Sequence, residues 1–497
     1  MRLPSVAILT LATIGIWESQ MAIASNVAEP VGMEAAAVPS DSSTDANDLL
    51  ITSDEEVNES DRTQSIEDGA LVRDIQIRFV DREGETVNGR TRQEFLRGLL
   101  RLKPGDVFRE NELESDLRRL RRLEIVDRVD VSVQSDDSNV DIIYDIKESR
   151  FPSLTYGGGY NSDIGIYGSV SYRDANIGGN NQQFTGKLQV SQIDAQFDIQ
   201  YTDPYRASEP NRFGYSVRAF RRRGFSPTFN EDVDLPNDDD PREGRFGGSV
   251  ALLRSFNDWN GSLGLNYTRT SIRDDKWRIS PVDVFGNPLS LSGEGIDDIV
   301  TVSLGVSRDM RDRRSYPTSG YILSLTTEQS VPIGLGNALF NRLRANYIQY
   351  VPVSLIDKGR PTEYPELTEM VAFNLQAGTV IGDFPPAEAF NIGGLNSIRG
   401  YGGGEVSSGR SYVLASIEYR FPLVWRVGGV VFADFGSDLG SADTVLGEPA
   451  VIRDKPGSGF GYGLGLRVKS PIGLIRADFG LNDQGESSFQ ITTGQRF

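Results

Sequence analysis

The chain of 497 residues contains no cysteine and no histidine. This absence excludes a Ser-His-Asp triad, a cysteine nucleophile, an imidazole general base and a zinc site of the usual Cys/His kind. It also excludes disulfide bonds. Carboxylates and lysines could still perform catalysis, but nothing in the sequence arranges them for it. We therefore predict a protein that is not an enzyme and that uses no cofactor and no metal ion.

Long apolar runs are also missing. After residue 24, no apolar run reaches the roughly 18 residues that a membrane-spanning helix needs. Residues 1–24 differ, because Arg2 precedes an apolar run from Val6 to Trp17 and a small-residue motif, Ala22-Ile23-Ala24, follows it. This pattern is typical of a signal peptide. The sequence therefore predicts export.

An excess of positive charge is also absent, since 51 Lys and Arg residues stand against 70 Asp and Glu and the net charge is −19. Nucleic-acid binding would require a basic face, so the sequence predicts no nucleic-acid partner. The acidity is concentrated in residues 25–70, where twelve Asp and Glu residues stand against one Arg. Few large apolar residues accompany them, and we predict an acidic disordered linker there.

Residues 71–150 show the alternation and helical spacing of a small mixed domain. The stretch "LVRDIQIRFV" alternates as a strand, "TRQEFLRGLLRL" and "ENELESDLRRLRRL" have helical spacing, and "VDRVDVSVQ" and "NVDIIYDIKE" again read as strands. The order strand, helix, helix, strand, strand predicts one α+β domain.

From residue 151 to 497 the helical period disappears and alternating segments of about ten residues follow one another. In "GSLGLNYT" and "VTVSLGVS", for example, apolar residues alternate with small or polar ones. Sixteen such segments predict a mainly β fold: a 16-stranded antiparallel transmembrane barrel, since lipid tolerates no open sheet edge. A secreted β-sandwich is the alternative.

Alternation also orients side chains in the later strands. Glu418, Asp434 and Asp478 are predicted to face the lumen, and Phe432 shares the parity of Asp434. A glycine-rich stretch, "GGLNSIRGYGGG" at Gly393–Gly404, carries a single cation, Arg399. A guanidinium there could pair with any of the three carboxylates, and spacing alone does not choose among them.

Several motifs taken together resemble the BamA-like superfamily, in which POTRA domains precede a sixteen-stranded barrel. The small domain resembles one POTRA domain in its "LKPGD", "DLRRLRRLEIVDRVDV" and "DIKE" segments. In the barrel the resemblance rests on "YTDPY", "RDMRDRRSYPTSGYIL", "SIRGY", "FADFG" and "SPIGLIRADFG". It covers nearly everything from residue 71 onward.

The resemblance implies a loop that folds back into the barrel, with Arg399, Gly400 and Tyr401 in its motif and Asp434 as the partner of Arg399. Glu418 and Asp478 are the alternative partners. The family is thought to open its barrel laterally between the first and last strands. We place that seam at four residues of those strands, Gly157, Gly158, Gly159 and Phe497. Small residues that only make room for the loop are the competing interpretation of the three glycines.

The implied function is the insertion or assembly of other outer-membrane proteins, with the POTRA domain in the periplasm receiving client strands. The expected partners are unfolded outer-membrane proteins, outer-membrane lipid and accessory assembly subunits. The alternative is a polypeptide transporter of the two-partner-secretion type, whose partner would be a secreted polypeptide. A passive pore is a third, more distant interpretation.

Overall fold

The computed structural model describes residues 70–497, with short gaps at 122, 137–138, 150, 162–163, 207–210, 231–232, 314–315, 357–363, 365–366 and 471–472. The predicted signal peptide and acidic linker lie outside the described residues. Within these residues, no helix combines the length and the apolar character that crossing a membrane requires.

The first unit is a small four-stranded sheet covered by two helices. Its elements are β1 (Leu71–Val80), β2 (Thr86–Val87), α1 (Gln93–Leu99), α2 (Glu110–Arg121), β3 (Val126–Asp136) and β4 (Asn139–Glu148), and the sheet order is β2-β1-β4-β3. Apolar side chains at helical spacing on α1 and α2 pack on one face of the sheet. Leu96, Leu120 and Ile142 in this core are fully buried. Apolar burial therefore holds this unit together.

The second unit is a closed barrel of sixteen strands. Its first eleven strands are β5 (Ser153–Asn161), β6 (Gly165–Asp174), β7 (Gln183–Ser191), β8 (Ala195–Asp203), β9 (Gly214–Phe225), β10 (Arg242–Phe256), β11 (Trp259–Arg273), β12 (Ile296–Asp309), β13 (Gly320–Val331), β14 (Leu339–Pro352) and β15 (Met370–Asp383). Its last five are β18 (Ser411–Val424), β19 (Val427–Ser437), β20 (Ser458–Ser470), β21 (Gly473–Asn482) and β22 (Ser487–Thr493). The predicted fold class is confirmed.

The alternation of the sequence appears as two different barrel faces. On β11, Leu263 and Leu265 are 50% and 57% exposed on the outer surface, whereas Asn266 beside them is 7% exposed. The same parity buries Glu418 on β18 and exposes Ile417. An apolar outer face and a polar inner face are what a bilayer-spanning barrel requires.

Residues 384–410, which connect β15 to β18, form a long loop inside the barrel that we call the lumen loop. It begins with a 3₁₀ turn at Pro386–Glu388, and β16 (Phe390–Ile392) pairs with β17 (Ser407–Gly409) to form a small ribbon. The ribbon packs through Phe390 and Ile392 against the inner wall. The glycine-rich stretch lies between the two ribbon strands, so the ribbon fixes where the stretch begins and ends.

The small domain contacts the end of β6 and the connection between β6 and β7, which define the near end of the barrel. Arg173 donates to both carboxylate oxygens of Glu124, and the shorter of the two bonds is 2.7 Å. The Asn176 side chain donates to the Thr91 hydroxyl at 2.8 Å. The backbone N–H of Arg92 donates to the Gly179 carbonyl at 2.8 Å. These contacts place the domain beside the first barrel strands.

Candidate functional site

The lumen loop brings Arg399 to the inner wall, where it is 1% exposed. Its Nε and Nη2 donate to the two carboxylate oxygens of Asp434 at 2.8 and 3.0 Å, and its backbone N–H donates to the same carboxylate at 3.1 Å. A bidentate guanidinium–carboxylate pair fixes orientation as well as distance. The arginine therefore fixes the loop backbone and the side chain to β19 at one point.

Arg399 also contacts both carboxylates that the sequence left as alternatives. Its Nη1 donates to Glu418 on β18 at 2.6 Å and to Asp478 on β21 at 3.4 Å. The three carboxylates are thus simultaneous partners, because one guanidinium offers five donors in different directions. One side chain of the loop thereby ties together three wall strands.

The Arg399 cluster, which we define by the three carboxylates and five arginines, contains more cations than anions. Its arginines are Arg399, Arg420, Arg467, Arg476 and Arg496. Removing one partner from a buried ion pair typically costs about 3 to 5 kcal/mol, since the other charge stays buried. The cluster therefore strongly favours one position of the loop.

Two residues at this site, Phe432 and Arg496, were not predicted as parts of it. The guanidinium of Arg399 lies 3.4 Å from the centre of the Phe432 ring, a close cation–π contact. Arg496 donates to Asp434 at 2.6 Å and to the Ser397 carbonyl at 2.6 Å. The inward parity of Phe432 was a usable signal. Continuing the alternation of β22 past Thr492 would also have placed Arg496 inside.

Gly400 and Tyr401 extend the attachment to the last hairpin, β21–β22. Gly400 has φ +105°, and a Cβ there would lie 2.7 Å from the backbone carbon of Leu481, so only glycine fits this close approach. Its N–H donates to the Ser488 hydroxyl at 3.1 Å. Tyr401, which is 1% exposed, donates from its hydroxyl to Asp483 at 2.6 Å. The whole Arg-Gly-Tyr motif thus contacts the wall that leads to the seam.

The seam between β22 and β5 is the weakest junction of the described barrel. Among the described residues, which leave out 162–163 beside β5, the register of this junction is one pair, Ile491 with Tyr160, whereas β21 pairs with β22 over seven residues and β10 with β11 over fifteen. Each missing ladder pair removes backbone hydrogen bonds that hold neighbouring strands together. The wall is therefore least stabilised at this junction.

The three glycines of β5 take different positions at this seam. A Cβ at Gly159 would lie 2.4 Å from the carbonyl oxygen of Ile491 and 2.8 Å from the Tyr167 hydroxyl, and one at Gly158 would lie 2.7 Å from the Tyr167 carbonyl oxygen. Gly157 pairs with Ser169 on β6. The atoms nearest to a Cβ at Gly158 and Gly159 thus belong to β6 and β22.

The prediction that Phe497 belongs to the seam is wrong. β22 ends at Thr493, Gly494 turns the chain with φ +83°, and the following residues enter the lumen. Arg420 donates to the Phe497 carbonyl at 3.1 Å, and the Phe497 ring packs against a cluster on β14 and β15 that includes Tyr350 and Met370. The two bonds of Arg496 fix this inward path. We call residues 494–497 the inner arm.

A small α+β domain beside the first strands of a closed barrel, a loop fixed in the lumen by a buried arginine, and a weak seam together define a class. This is the class of barrel membrane proteins that carry POTRA domains. Residues 176–497 match the Omp85 superfamily domain, and residues 76–149 match the POTRA model described as a surface antigen variable number repeat. The chain belongs to the Omp85 superfamily, as the sequence motifs predicted.

Among curated proteins, the chain is similar to outer envelope protein 80 of Arabidopsis thaliana, with 34% identity over 86% of this chain and 57% of that protein. The chain thus spans a little more than half the length of this relative. Among solved structures it is similar to BamA from Haemophilus ducreyi lacking POTRA domains 1–3, with TM-score 0.57, 18% identity, and 86% and 84% of the two chains covered. It is also similar to CdiB from Acinetobacter baumannii, with TM-score 0.53, 15% identity, and 86% and 74% covered.

Proposed function

We propose that this chain is a non-enzymatic factor that inserts other barrel proteins into an outer membrane. Its POTRA domain would receive a client strand by strand addition, and the barrel seam would then admit that strand. The client class is unfolded outer-membrane proteins, and accessory assembly subunits would assist. The POTRA domain would lie on the periplasmic side.

The seam is the observation that carries this proposal. Among the described residues one pair joins β22 to β5, and the inner arm runs into the lumen instead of extending β22 along β5. Strand edges with unpaired backbone groups recruit other strands. Because the POTRA domain contacts the β6–β7 connection, it lies close to the strand edge that a client would reach.

The alternative is a transporter that conducts a secreted polypeptide through the lumen. That route requires the lumen loop to leave, although Arg399 and Tyr401 fix the loop to the wall through buried contacts. Insertion at the seam requires a smaller change. A passive pore is supported least, because the lumen loop occupies the interior.

A reversible cross-link tests the proposal directly. The chain lacks cysteine, so the double variant Tyr160→Cys/Ile491→Cys has one thiol pair, placed at the seam register. Directly opposite residues of antiparallel strands have Cα separations that a disulfide accepts. We expect oxidation to block insertion of an unfolded barrel client into liposomes, measured by protease protection, and reduction to restore it.

The matched control is Val250→Cys/Leu265→Cys, an outward-facing pair on β10 and β11. Its oxidation should leave insertion unchanged, because that junction is fully paired. Unimpaired insertion through an oxidised seam would contradict the proposal. Depletion in cells separates the two functions. Joint loss of many barrels supports insertion, and loss of one secreted protein with barrels unchanged supports transport.

A further inference from the structure

A second buried cluster of charged side chains holds the other end of the lumen loop. Glu388, in the 3₁₀ turn, is 3% exposed and accepts from Arg342 at 2.6 Å and from Arg245 at 2.9 Å. The same arginines also bind the loop backbone: Arg245 donates to the Ala387 carbonyl at 2.5 Å, and Arg342 to the Glu388 carbonyl at 3.2 Å. Both the side chain and the backbone of the turn are therefore fixed.

The Glu388 cluster, which we define as Glu243, Arg245, Glu328, Arg342 and Glu388, is the reverse of the Arg399 cluster. Here the loop supplies the anion and the wall supplies the cations. Arg342 also donates to Glu328 at 3.1 Å, and Arg245 bonds Glu243, so each wall arginine has a carboxylate of its own as well. Glu388 therefore adds a loop carboxylate between two arginines that the wall already orients.

The two clusters lie on different arcs of the closed barrel. Arg245 and Arg342 belong to β10 and β14, whereas the carboxylates around Arg399 belong to β18, β19 and β21. The base of the loop has neutral contacts as well, since the Asn391 side chain donates to the Thr228 hydroxyl at 3.1 Å. The loop thus connects two arcs of the wall across the lumen.

We propose that Glu388 is a positioning residue that anchors the base of the lumen loop independently of Arg399. The loop is then anchored separately at its base, through Glu388, and at its tip, through Arg399. Loss of the Arg399 contacts frees residues 393–406 while the 3₁₀ turn stays bound to β10 and β14 and the ribbon stays packed on the inner wall. Loss of the Glu388 contacts frees the base while the Arg-Gly-Tyr motif stays on β19 and β21. For its role in insertion, this inference rests on the proposed function.

Single thiols report each end of the loop separately, because the natural chain has no cysteine. Ala389→Cys lies next to Glu388 and is 3% exposed, and Ser397→Cys lies near Arg399 and is 0% exposed. Each is placed in the full-length protein in liposomes, and its rate of reaction with a water-soluble maleimide is measured. Migration on unheated SDS gels checks that the barrel is folded.

We expect Glu388→Gln to raise labelling at Ala389→Cys by about tenfold or more, because a buried arginine pair loses its shared anion. Labelling at Ser397→Cys should stay within about twofold. Asp434→Asn should instead raise labelling at Ser397→Cys by about tenfold or more and leave labelling at Ala389→Cys within about twofold. Glu294→Gln, an exposed carboxylate outside the lumen loop, is the matched control and should leave both rates unchanged.

Arg342→Lys provides a second test in case Glu388→Gln fails to fold. Lysine keeps the charge but cannot reach both Glu328 and Glu388 as a guanidinium does, so Ala389→Cys labelling should again rise selectively. Unchanged labelling at Ala389→Cys in folded variants, or equal release of both thiols by either substitution, would overturn the inference. No client is present in this assay, so its failure is distinguishable from failure of the seam cross-link experiment.

Discussion

The POTRA domain and the barrel are held together internally by opposite kinds of residue. The POTRA core is made of fully buried apolar side chains such as Leu96 and Leu120, whereas the barrel interior buries Arg399, Glu418 and Asp434. Apolar burial is non-directional and tolerates small movements. A bidentate ion pair fixes one geometry and releases its parts when that geometry is lost. The first arrangement tolerates small shifts of the packed elements, and the second fixes the lumen loop at one position on the wall.

The largest effect is expected from removing the central cation. Arg399→Ala leaves three buried carboxylates without their shared partner, at a cost of about 3 to 5 kcal/mol. We expect client insertion to fall by about 100-fold or more, with the barrel still folded on unheated SDS gels. Arg278→Ala, which removes an arginine with a 63% exposed side chain, should leave insertion unchanged.

The structure also limits what charge reversal can restore. Asp434→Arg would place a second cation beside Arg496, so the double variant Arg399→Glu/Asp434→Arg should recover little of the insertion lost in Arg399→Glu. Full recovery would show that Arg399 and Asp434 act as an isolated pair and not as members of a cluster.

A core substitution in the POTRA domain should have the next largest effect and should act locally. Leu120→Ala removes a fully buried side chain and should destabilise the domain by about 2 to 5 kcal/mol. Limited proteolysis in urea should show earlier cleavage within residues 71–150, with barrel migration unchanged. Val87→Ala, at an exposed site, should shift cleavage little. Simultaneous loss of barrel folding would show that the units are not separately stabilised.

Releasing the inner arm should have a moderate effect on the seam. Arg496→Gln removes the charged contact to Asp434 while keeping a polar side chain of similar reach. We expect Arg496→Gln to change the oxidation rate of the Tyr160→Cys/Ile491→Cys pair by about tenfold, because the arm sets where β22 ends. An unchanged oxidation rate in a folded variant would separate the arm from the seam.

The smallest predicted effect is a pH dependence in the POTRA domain. Burial raises the pKa of Asp116, whose carboxylate accepts from the backbone N–H groups of Arg101 and Leu102. An acid whose folded pKa is raised is easier to protonate when folded, so its contribution to stability increases as pH falls through the folded pKa. Asp116→Asn should remove this increase, measured as the difference in urea midpoint for proteolysis between the variant and the wild type.

Asp141 provides a contrast of opposite sign. Its hydrogen bonds to Arg73 lower its pKa, so its stabilisation is present above the ordinary aspartate range and is lost as pH falls through the folded pKa. In a plot of the urea midpoint against pH, Asp141→Asn should therefore remove a loss of stability at acid pH, whereas Asp116→Asn should remove a gain. If both substitutions changed the pH dependence of the urea midpoint in the same direction, neither carboxylate would govern the response.

Much of the candidate site could be predicted because strands alternate. The parity of β18, β19 and β21 placed Glu418, Asp434 and Asp478 in the lumen, and the motif around Arg399 supplied their partner. The alternation could not predict how many of these carboxylates Arg399 binds. Whether one guanidinium reaches one carboxylate or three depends on how strands bring their side chains together in space.

Glu388 and the inner arm were missed for a related reason. Glu388 lies in a loop, where no periodicity indicates which way a side chain points, and its partners are on β10 and β14, far away in the chain. The inner arm continues an alternating strand in sequence, but Gly494 turns it inward and Arg496 holds it there. Local pattern predicted a strand to Phe497, and tertiary contacts ended it at Thr493.

By itself, the sequence determined the sixteen alternating strands, the POTRA domain before them, and which side chains face lipid or lumen. Those features follow from the period of the backbone, which a linear pattern records. Only the tertiary structure decided how the lumen loop is anchored at two ends, where β22 stops, and how little pairing joins the described residues of β22 and β5. These features depend on distances between residues far apart in the chain, and such distances are fixed only when the barrel closes.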